Sequence, residues 1–480
     1  MKKILVIGDF HILHPGHIRL LKFAKDCGDK LIVAINADAV MQVKSQVHER
    51  NRLEMVRAIE CVDDAFITHV SPSQLIKQIK PYAVVKGKEF ESQNNSEQEA
   101  LDSYDGKLIF GSGEFEIDSE QFVKSPKQVG RSFDYNDIKQ YAKRHKITYE
   151  AVERVFKKIK ELSVAIIGEV IVDEYVQGTA VGLSQEDPTI VLIPNKIDTF
   201  LGGAAITAGH IKSIGAKDVT LLSVLGADAK AKYVNRKIRT YNVNTFFCED
   251  VTRPTPLKTR YRADTKTLLR VNEVKQHNIS KELQDKLFDE LKKIVKTIDI
   301  LVFSDFNYGI LPQSIVERIT HLCKESRVKI VADSQTSSQI GDISRYKDTY
   351  LMTPTEKEVR VSLHNKDDGL VILAKKLCEK STPRNLVITL AGEGIFIHVP
   401  NENYSSWKND KIPAINKNPV DPAGAGDCFL ATSALCLAAG ADPWQSFYLA
   451  SIAAACQVDC VGNIPLKHDI LVKAAMESFN

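Results

Sequence analysis

The sequence predicts an α/β protein made of two units in tandem, and three patterns support this fold class. Near the N-terminus, an apolar run at 4–7, a helical pattern at 20–27 and an apolar run at 31–35 follow one another. This is the order of a βαβ unit with parallel strands. From residue 163 onward, further apolar runs are separated by helical stretches. Between 175 and 273 the runs are shorter and more alternating, which predicts a small separate sheet over the main one.

The composition argues against a nucleic-acid-binding, a membrane-spanning or a disulfide-rich secreted protein. The chain has 480 residues with 64 Lys and Arg against 61 Asp and Glu, and this balance gives no broad basic surface for nucleic acid. The longest apolar stretches, such as 428–439, fall short of the ~20 residues that a membrane span needs. Nine cysteines, an odd number, and an N-terminus that enters a strand without a secretory signal predict a cytoplasmic protein without a disulfide framework.

Residues 134–161 differ from both flanking regions, because they combine many Lys and Arg with apolar residues at helical spacing. We expect a helical linker that connects a domain at 1–133 to a domain at 162–480. A basic helix can contact nucleic acid, but a solvated face explains the same pattern. We therefore expect neither a nucleic-acid partner nor a membrane partner.

The first group of chemically informative residues is His14-Pro15-Gly16-His17, directly after the first strand. Pro15 fits the first position of a helix, and Gly16 lets a ligand approach the backbone. His14 and His17 are three residues apart, so both imidazoles can face the anion site formed by the N–H groups of the helix start. Such a site suits a phosphate that gains charge during attack. A metal site that includes His11, or a purely structural role, stays open.

Residues 1 to about 125 resemble the cytidylyltransferase-like nucleotidyltransferases, whose hallmark is H-x-G-H. Similar segments continue at 27–38, at 58–63 and at 84–90. The resemblance implies a Rossmann-like nucleotidyltransferase domain in which His14 and His17 are catalytic. The nucleotide-binding residues that it implies here are Gly8, Phe10, Gly16, Lys44, Arg52 and Lys86.

This unit departs from the family pattern in two places. The Ser/Thr-rich segment that contacts the triphosphate is replaced by 111–113 and 118–119, and His11 stands where an acidic residue is common. The choice between ATP and CTP as nucleotidyl donor therefore stays open.

The second informative group is the run DPAGAGD, residues 421–427, directly before an apolar helix. Gly424, Ala425 and Gly426 are small, so a phosphate can approach the backbone N–H groups of the helix start. Asp427 then stands where it can accept a proton from a sugar hydroxyl that attacks a γ-phosphate. A glycine-rich helix cap with an incidental aspartate is the alternative.

A wider set of motifs resembles the ribokinase-like (PfkB) carbohydrate kinases over almost all of 163–480, above all the kinase half of the bifunctional heptose-phosphate kinase/adenylyltransferases. The resemblance implies a ribokinase-like αβα domain with a small β-sheet lid, in which Asp427 is the base. It implies a nucleotide and anion site at Gly392, Gly394, Gly424, Ala425 and Gly426. It implies substrate-binding residues at Asp173, Gly202, Gly203, Lys258, Arg260 and Arg270, and Glu358 as the residue that organises Mg²⁺.

Four positions depart from the kinase pattern: Ile206, Tyr308, Gln335 and Thr355. At Tyr308 and Gln335 the family commonly has lysine, a point charge suited to phosphate. Three explanations stay open: a substrate with less negative charge than heptose 7-phosphate, compensation by other residues, or weak kinase activity.

Together the two resemblances imply sequential chemistry. The C-terminal half would phosphorylate a sugar or sugar phosphate with ATP and Mg²⁺, and the N-terminal half would transfer a nucleotidyl group from ATP or CTP with release of pyrophosphate. An ADP-heptose-like product is the leading expectation, although the transferase-first order reverses the usual order of that family. A CTP-dependent enzyme for a polyol phosphate, or a transferase with a degenerate kinase-like sensing or dimerisation module, are the alternatives. We also expect a homodimer or higher homo-oligomer.

Overall fold

The structure is a computed structural model that describes residues 2–479 except 12, 14, 42–46, 88–95, 105, 112–132, 134, 185, 188, 264–265, 336–340 and 402–406. The chain forms two compact units, Met1–Val129 and Gly130–Asn480. Among the described residues, no helix is both long enough and apolar enough to cross a membrane. All nine cysteines are free thiols.

The first unit is a five-stranded parallel sheet flanked by helices. Its elements are β1 (Lys3–Gly8), α1 (Pro15–Asp26), β2 (Lys30–Asn36), α2 (Glu49–Arg57), β3 (Asp64–Thr68), α3 (Pro72–Ile79), β4 (Ala83–Gly87), α4 (Glu97–Asp102) and β5 (Lys107–Gly111). Apolar side chains of the central strands pack on both faces of the sheet, in two separate clusters. The βαβ unit predicted from the apolar runs is confirmed as β1, α1 and β2.

The strand order of this sheet is β3-β2-β1-β4-β5, so the chain continues to one side of β1 through β2 and to the other side through β4. Ligands of open α/β sheets bind at such a switch point, outside the carboxyl ends of the strands. The loop after β1, which carries the H-x-G-H motif, lies at this switch point.

The second unit contains two helices, a large sheet, a small sheet and further flanking helices. The elements up to the middle of this unit are α5 (Asn136–Arg144), α6 (Tyr149–Ile159), β6 (Ser163–Gly168), β7 (Val170–Leu183), β8 (Ile190–Gly203), α7 (Ala204–Ile214), β9 (Asp218–Leu225), α8 (Ala229–Arg239), β10 (Asn244–Glu249), β11 (Leu257–Ala263), β12 (Lys266–Glu273) and α9 (Lys281–Ile294). The remaining elements are β13 (Ile300–Asp305), α10 (Gln313–Glu325), β14 (Lys329–Ser334), β15 (Leu351–Met352), α11 (Glu356–Leu363), α12 (Leu370–Ser381), β16 (Leu386–Thr389), β17 (Ile395–Pro400), β18 (Trp407–Ile412), α13 (Ala425–Ala438), α14 (Pro443–Gln457) and α15 (His468–Glu477).

The large sheet has nine strands in the order β10-β9-β6-β13-β14-β15-β16-β17-β18. The pairs β16–β17 and β17–β18 at one edge are antiparallel, and the other pairs are parallel. Buried apolar residues fill a cluster on each face of this sheet. The predicted αβα arrangement is thereby confirmed.

The small sheet has the order β12-β11-β7-β8, and it confirms the predicted lid. β7 and β11 are parallel, and β8 returns antiparallel to β7 and ends at Gly203. Because α7 begins at the next residue, the end of β8 connects the lid directly to a helix start on the main sheet.

The basic segment 134–161 forms α5 and α6, which belong to the second compact unit. Their buried faces join the same apolar cluster as α13 and α14. Asp410 of β18 accepts from Arg144 Nε at 2.9 Å and lies 2.6 Å from His145 Nε2, while the His145 ring stacks on Trp444 with 4.5 Å between centroids. The bounds 1–133, 134–161 and 162–480 stay a prediction.

Candidate functional site

The first candidate site lies in the loop between β1 and α1. α1 begins at Pro15, which confirms the predicted first helical position, and Gly16 is buried in its first turn. Phe10 has a φ of 48° and is buried in the core, where its ring lies 5.0 Å from the His17 ring. A methyl group on Gly8 would lie 3.1 Å from the Phe10 ring. Gly8 and Phe10 therefore shape the loop that presents His17.

Arg52 is fully buried in α2 and donates to backbone groups around this loop. Its guanidinium donates to the carbonyl oxygens of Asp9, of Asn36 at 2.9 Å and of Val47 at 3.1 Å, and to Asp38 Oδ1 at 2.6 Å. These bonds tie the carboxyl ends of β1 and β2 together. Arg52 thus stabilises the rim of the site, and its role as a nucleotide ligand stays a prediction.

Lys86 lies on β4, which pairs with β1, so it reaches the same edge of the sheet as His17. Its ammonium group donates to Glu97 Oε1 at 2.8 Å. His14 and Lys44 lie outside the described residues.

The second candidate site is built around the first turn of α13. Gly424 is its N-cap with a φ of 77°, a conformation that glycine adopts without strain. A Cβ on Gly426 would meet no atom within 4 Å, so the backbone there faces open space. Asp421 fixes the loop, because its carboxylate accepts from Ala423 N at 3.1 Å and from Gly462 N at 3.0 Å. The predicted helix start with room for an anion is present.

Asp427 lies in the same first turn and is only 6% exposed. Burial, together with the negative charge of Asp173, raises the pKa of Asp427 to about 7. The Thr207 hydroxyl, which donates to Asp427 Oδ1 at 3.3 Å, and the Lys258 ammonium act in the opposite direction. A carboxyl group with a pKa near neutrality can take up a proton during a reaction and release it afterwards.

Asp173 of β7 contacts the end of β8, the lid and the C-terminal loop. Its carboxylate accepts from Arg260 Nη1 at 2.7 Å and from Asn463 Nδ2 at 2.8 Å. A Cβ on Gly202 would lie 2.1 Å from Asp173 Oδ2, and Gly203 has a φ of 61°. Only glycine fits at this approach of β8 to Asp173. The structure therefore brings Asp173, Gly202, Gly203 and Arg260 together near Asp427.

Three cationic side chains occur at alternate positions along β11: Lys258, Arg260 and Arg262. Lys258 is close enough to lower the pKa of Asp427, and Arg262 Nη1 lies 3.9 Å from Asp421 Oδ2. Arg270 pairs with Arg260 across the ladder between β11 and β12, but it is exposed on the edge strand of the lid. Lys258 and Arg260 thus lie in the site, and Arg270 lies at its outer edge.

The predicted metal residue, Glu358, is buried in the first turn of α11 and accepts from Thr355 N at 2.7 Å. Burial and the charges of Glu358 and Asp427 hold the pKa of Asp333 well above its usual range. Such a concentration of buried carboxyl groups fits a divalent cation, which offsets their repulsion. Among the described residues, no three His, Cys, Asp or Glu side chains form a preorganised metal cage. Mg²⁺ typically takes one or two carboxylates and completes its shell with phosphates and waters.

Gly392 and Gly394 lie in the turn between β16 and β17. A Cβ on Gly392 would meet no atom within 4 Å, whereas one on Gly394 would lie 2.0 Å from the Ile412 carbonyl oxygen. Thr389, at the end of β16, bridges to Thr355 at the start of α11. This turn therefore lies beside the helix that carries Glu358.

Comparisons with known proteins agree with this geometry. Residues 161–469 match the family model described as pfkB family carbohydrate kinase. The chain belongs to the pfkB family of carbohydrate kinases. Residues 5–147 match the cytidylyltransferase-like family model, so the pfkB domain follows a domain of the nucleotidyltransferase type.

Two relatives are named Bifunctional protein HldE. The one from Campylobacter jejuni subsp. doylei is 32% identical over 325 residues, which are 66% of this chain and 64% of that protein. The one from Desulfatibacillum aliphaticivorans is 29% identical over 303 residues, which are 62% of this chain and 60% of that protein. The chain thus spans roughly three-fifths of the length of these curated relatives.

Solved structures support the fold of the pfkB domain. Ribokinase from Arabidopsis thaliana, complexed with ribose and ATP, aligns with a TM-score of 0.52 at 18% identity and covers 65% of this chain and 98% of its own. Phosphofructokinase-2 from Escherichia coli, in complex with potassium, aligns with a TM-score of 0.55 at 15% identity and covers 67% of this chain and 100% of its own.

Of the four positions that depart from the pfkB pattern, Ile206, Thr355 and Tyr308 have structural roles here, and Gln335 makes a contact through its main chain. Ile206 is fully buried in α7, and Thr355 is the N-cap of α11 in a capping box with Glu358. Tyr308 is buried against Phe306. The backbone N–H of Gln335 donates to the Asp305 carbonyl oxygen at 2.8 Å.

Sequence reasoning missed four residues of the pfkB site: Thr207, Asp333, Asn463 and Arg262. Asp333 near the carboxyl end of β14 had a usable signal, because acidic residues at that edge of a parallel sheet commonly face the ligand. Thr207 and Asn463 had none, since their contacts with Asp427 and Asp173 join residues that are 220 and 290 positions apart in the chain.

Proposed function

We propose that this chain is a bifunctional enzyme of nucleotide-sugar synthesis. Its pfkB domain phosphorylates a sugar phosphate of the heptose 7-phosphate type with ATP and Mg²⁺. Its N-terminal domain transfers a nucleotidyl group from ATP or CTP to a sugar phosphate and releases pyrophosphate. An ADP-heptose-like product is the leading candidate, and the HldE relatives support it.

The observation that carries the kinase proposal is the placement of Asp427. Its carboxyl group is buried in the first turn of α13, next to an open glycine backbone and close to Asp173 and Lys258. A pKa of about 7 leaves a large ionised fraction near neutral pH while the proton affinity stays high. Burial of an ionisable carboxyl group costs folding free energy unless its charge is compensated.

In the proposed reaction, a hydroxyl group of the sugar gives its proton to Asp427 while its oxygen attacks the γ-phosphorus of ATP. The bond between the γ-phosphorus and the bridging oxygen to the β-phosphate breaks, and ADP leaves. The N–H groups of the first turn of α13, from Ala425 onward, face the charge that develops on the phosphoryl oxygens. Mg²⁺, when bound with ATP, neutralises phosphate charge, and Glu358 with Asp333 are the carboxylates that would hold it.

The acceptor is proposed to be anionic. Lys258 and Arg260 bring two positive charges to the same part of the pocket, and Arg260 also forms an ion pair with Asp173. These cations offer compensation for the family lysines replaced by Tyr308 and Gln335. Of the three explanations for those replacements (a less anionic substrate, compensation by other residues, or weak kinase activity), the position of Lys258 close to Asp427 favours compensation.

The N-terminal reaction is proposed from the loop after β1. There, His17 and the first-turn N–H groups of α1 lie at the switch point of the sheet, where an α-phosphate would be attacked by the phosphate of the sugar. His14, Gly16, Lys44, Arg52 and Lys86 stay proposed participants.

We also propose a homo-oligomer. The lid sheet exposes several large apolar side chains, among them Leu183 at 66% and Ile197 at 59% exposure. An exposed apolar sheet face of this kind is typical of an interaction surface. A cytoplasmic location stays a prediction.

Separate assays of the two halves test the proposal. Asp427→Asn should abolish ATP-dependent phosphorylation of heptose 7-phosphate and leave pyrophosphate release from an NTP and a sugar 1-phosphate intact. His17→Ala should do the opposite, so each variant is the control for the other. If Asp427→Asn changes neither activity, the kinase proposal fails and the sensing or dimerisation module is supported. Four NTPs tested against a panel of sugar 1-phosphates identify the nucleotidyl donor and acceptor.

A further inference from the structure

Glu169, directly after β6, holds an unusual position for a carboxylate. It is fully buried, and its side chain accepts hydrogen bonds from three backbone N–H groups in the segment after β13. Oε2 accepts from Phe306 N at 2.8 Å, and Oε1 accepts from Tyr308 N at 3.2 Å and from Ile310 N at 3.1 Å. Buried backbone donors need partners, and here one side chain supplies them.

The segment 306–310 lies between β13 and α10, outside helix and strand. Asn307 and Gly309 have φ angles of 59° and 94°, so the backbone is in the left-handed region at two nearby positions. Since its N–H groups point at Glu169, the conformation of this segment depends on that carboxylate.

Two aromatic rings of this segment contact a cation of the lid. Lys258 Nζ lies 4.7 Å from the centre of the Phe306 ring and 5.7 Å from the centre of the Tyr308 ring. Both rings are buried with Ile171. A cation over an aromatic face is attracted to it, so the rings fix where the Lys258 ammonium lies. That ammonium is the one that acts on the pKa of Asp427.

Glu169 also contacts the glycine turn of the sugar site through its main chain. Its carbonyl oxygen accepts from Ala204 N at 2.8 Å, and a Cβ on Gly203 would lie 2.3 Å from that oxygen. One residue therefore joins the turn next to Asp173 and the segment under Lys258.

We propose that Glu169 is a positioning residue for the acceptor end of the kinase pocket. Its carboxylate fixes the segment 306–310, and the two rings of that segment fix the Lys258 ammonium, which binds the phosphate of the acceptor sugar. The last part of this inference rests on the proposed kinase function, whereas the positioning of Lys258 does not. Glu169 itself touches no reacting atom.

Kinetics with heptose 7-phosphate test the functional part. In Glu169→Gln, an amide N–H faces the Phe306 N–H, so one bond is lost and the ring is released. We expect a rise of about tenfold in the KM for the heptose phosphate, with the KM for ATP changed by less than about twofold. Lys258→Met should raise the same KM, and the double variant should be no worse than Lys258→Met alone, since both act through one contact. An equal loss toward both substrates, or additive effects, would overturn the inference.

Chemical labelling of Lys258 tests the positioning without any turnover. Acetylation by an N-hydroxysuccinimide ester, followed by peptide mass spectrometry, should be about fivefold faster at Lys258 in Glu169→Gln than in the wild-type protein. Phe306→Leu should give the same acceleration while the Glu169 carboxylate keeps its backbone bonds, which covers the case that Glu169→Gln does not fold. An unchanged labelling rate in the folded variants would refute the positioning role.

Asp299→Asn is the matched control. Asp299 lies before β13 and accepts from Ser163 N at 2.8 Å, at the opposite end of β6 from Glu169. This variant should change neither the labelling rate of Lys258 nor the KM for the acceptor. If the wild-type protein does not phosphorylate the heptose phosphate, the proposed substrate fails, and the labelling rates still decide whether Glu169 positions Lys258.

Discussion

Replacing Asp427 by asparagine is expected to abolish phosphorylation and, at the same time, to stabilise the second unit. The ordinary pKa of an aspartate is 3.8, and burial with the nearby Asp173 raises the pKa of Asp427 to about 7. The folded protein therefore holds this proton more tightly than the unfolded chain does, and ionisation at higher pH favours unfolding. Asparagine has the same shape, carries no charge, and can still accept from the Thr207 hydroxyl.

The size of the effect follows from the difference between the two pKa values, at 1.36 kcal/mol per unit. At pH 8 the buried, mostly ionised Asp427 costs about 4 kcal/mol of folding free energy. At pH 5 the folded protein holds this group protonated while the unfolded chain is largely ionised, and the cost is about 2 kcal/mol. The stability gain of Asp427→Asn should shrink accordingly as the pH falls, and it should vanish below the pKa of the unfolded aspartate.

Urea unfolding followed by tryptophan fluorescence measures this gain in the full chain. Both tryptophans, Trp407 and Trp444, lie in the second unit, so their signal reports on that unit. The free energy of unfolding of Asp427→Asn and of the wild-type protein should be compared at pH 8 and at pH 5. A variant that is less stable than wild type at pH 8, or a difference that does not depend on pH, would refute the assignment of Asp427 as a buried carboxyl with a raised pKa.

Two further predictions concern pH and the helical segment. The kcat/KM for phosphorylation should fall about tenfold per pH unit below about pH 7, because only ionised Asp427 accepts a proton. In Thr207→Val this fall should begin about one pH unit higher, since the lost hydroxyl stabilises the ionised form of Asp427. A pH profile of each protein checks this, and a fall that begins at the same pH in both proteins contradicts it. Burial acts to raise the pKa of Asp410, but hydrogen bonds from His145 and Arg144 outweigh it and keep that pKa below its usual value. Asp410→Asn should therefore lower the free energy of unfolding in urea by about 1 kcal/mol at pH 7. This loss should disappear as the pH falls through the lowered pKa of Asp410. An unchanged stability at pH 7 would show that this ion pair does not hold α5 against β18.

The sequence by itself determined the elements and the two helix starts. Apolar runs and helical spacing are local, so β1, α1 and β2 could be predicted from a few residues each. Pro15 at the start of α1 and Gly424 before α13 were equally predictable, because the conformational limits of proline and glycine act within one turn. Asp427 followed from the same local run.

Only the tertiary structure decided which distant residues complete the sites. Glu169 meets Phe306 across 137 positions of the chain because β6 and β13 are neighbours in the sheet, and Asn463 reaches Asp173 across 290. Strand order brings such residues together, and no local pattern encodes it. Arg52 shows the same point, since its guanidinium donates to backbone carbonyl groups at the ends of two strands that are distant from it in the chain. The energy of such contacts depends on burial, which exists only once the chain has folded.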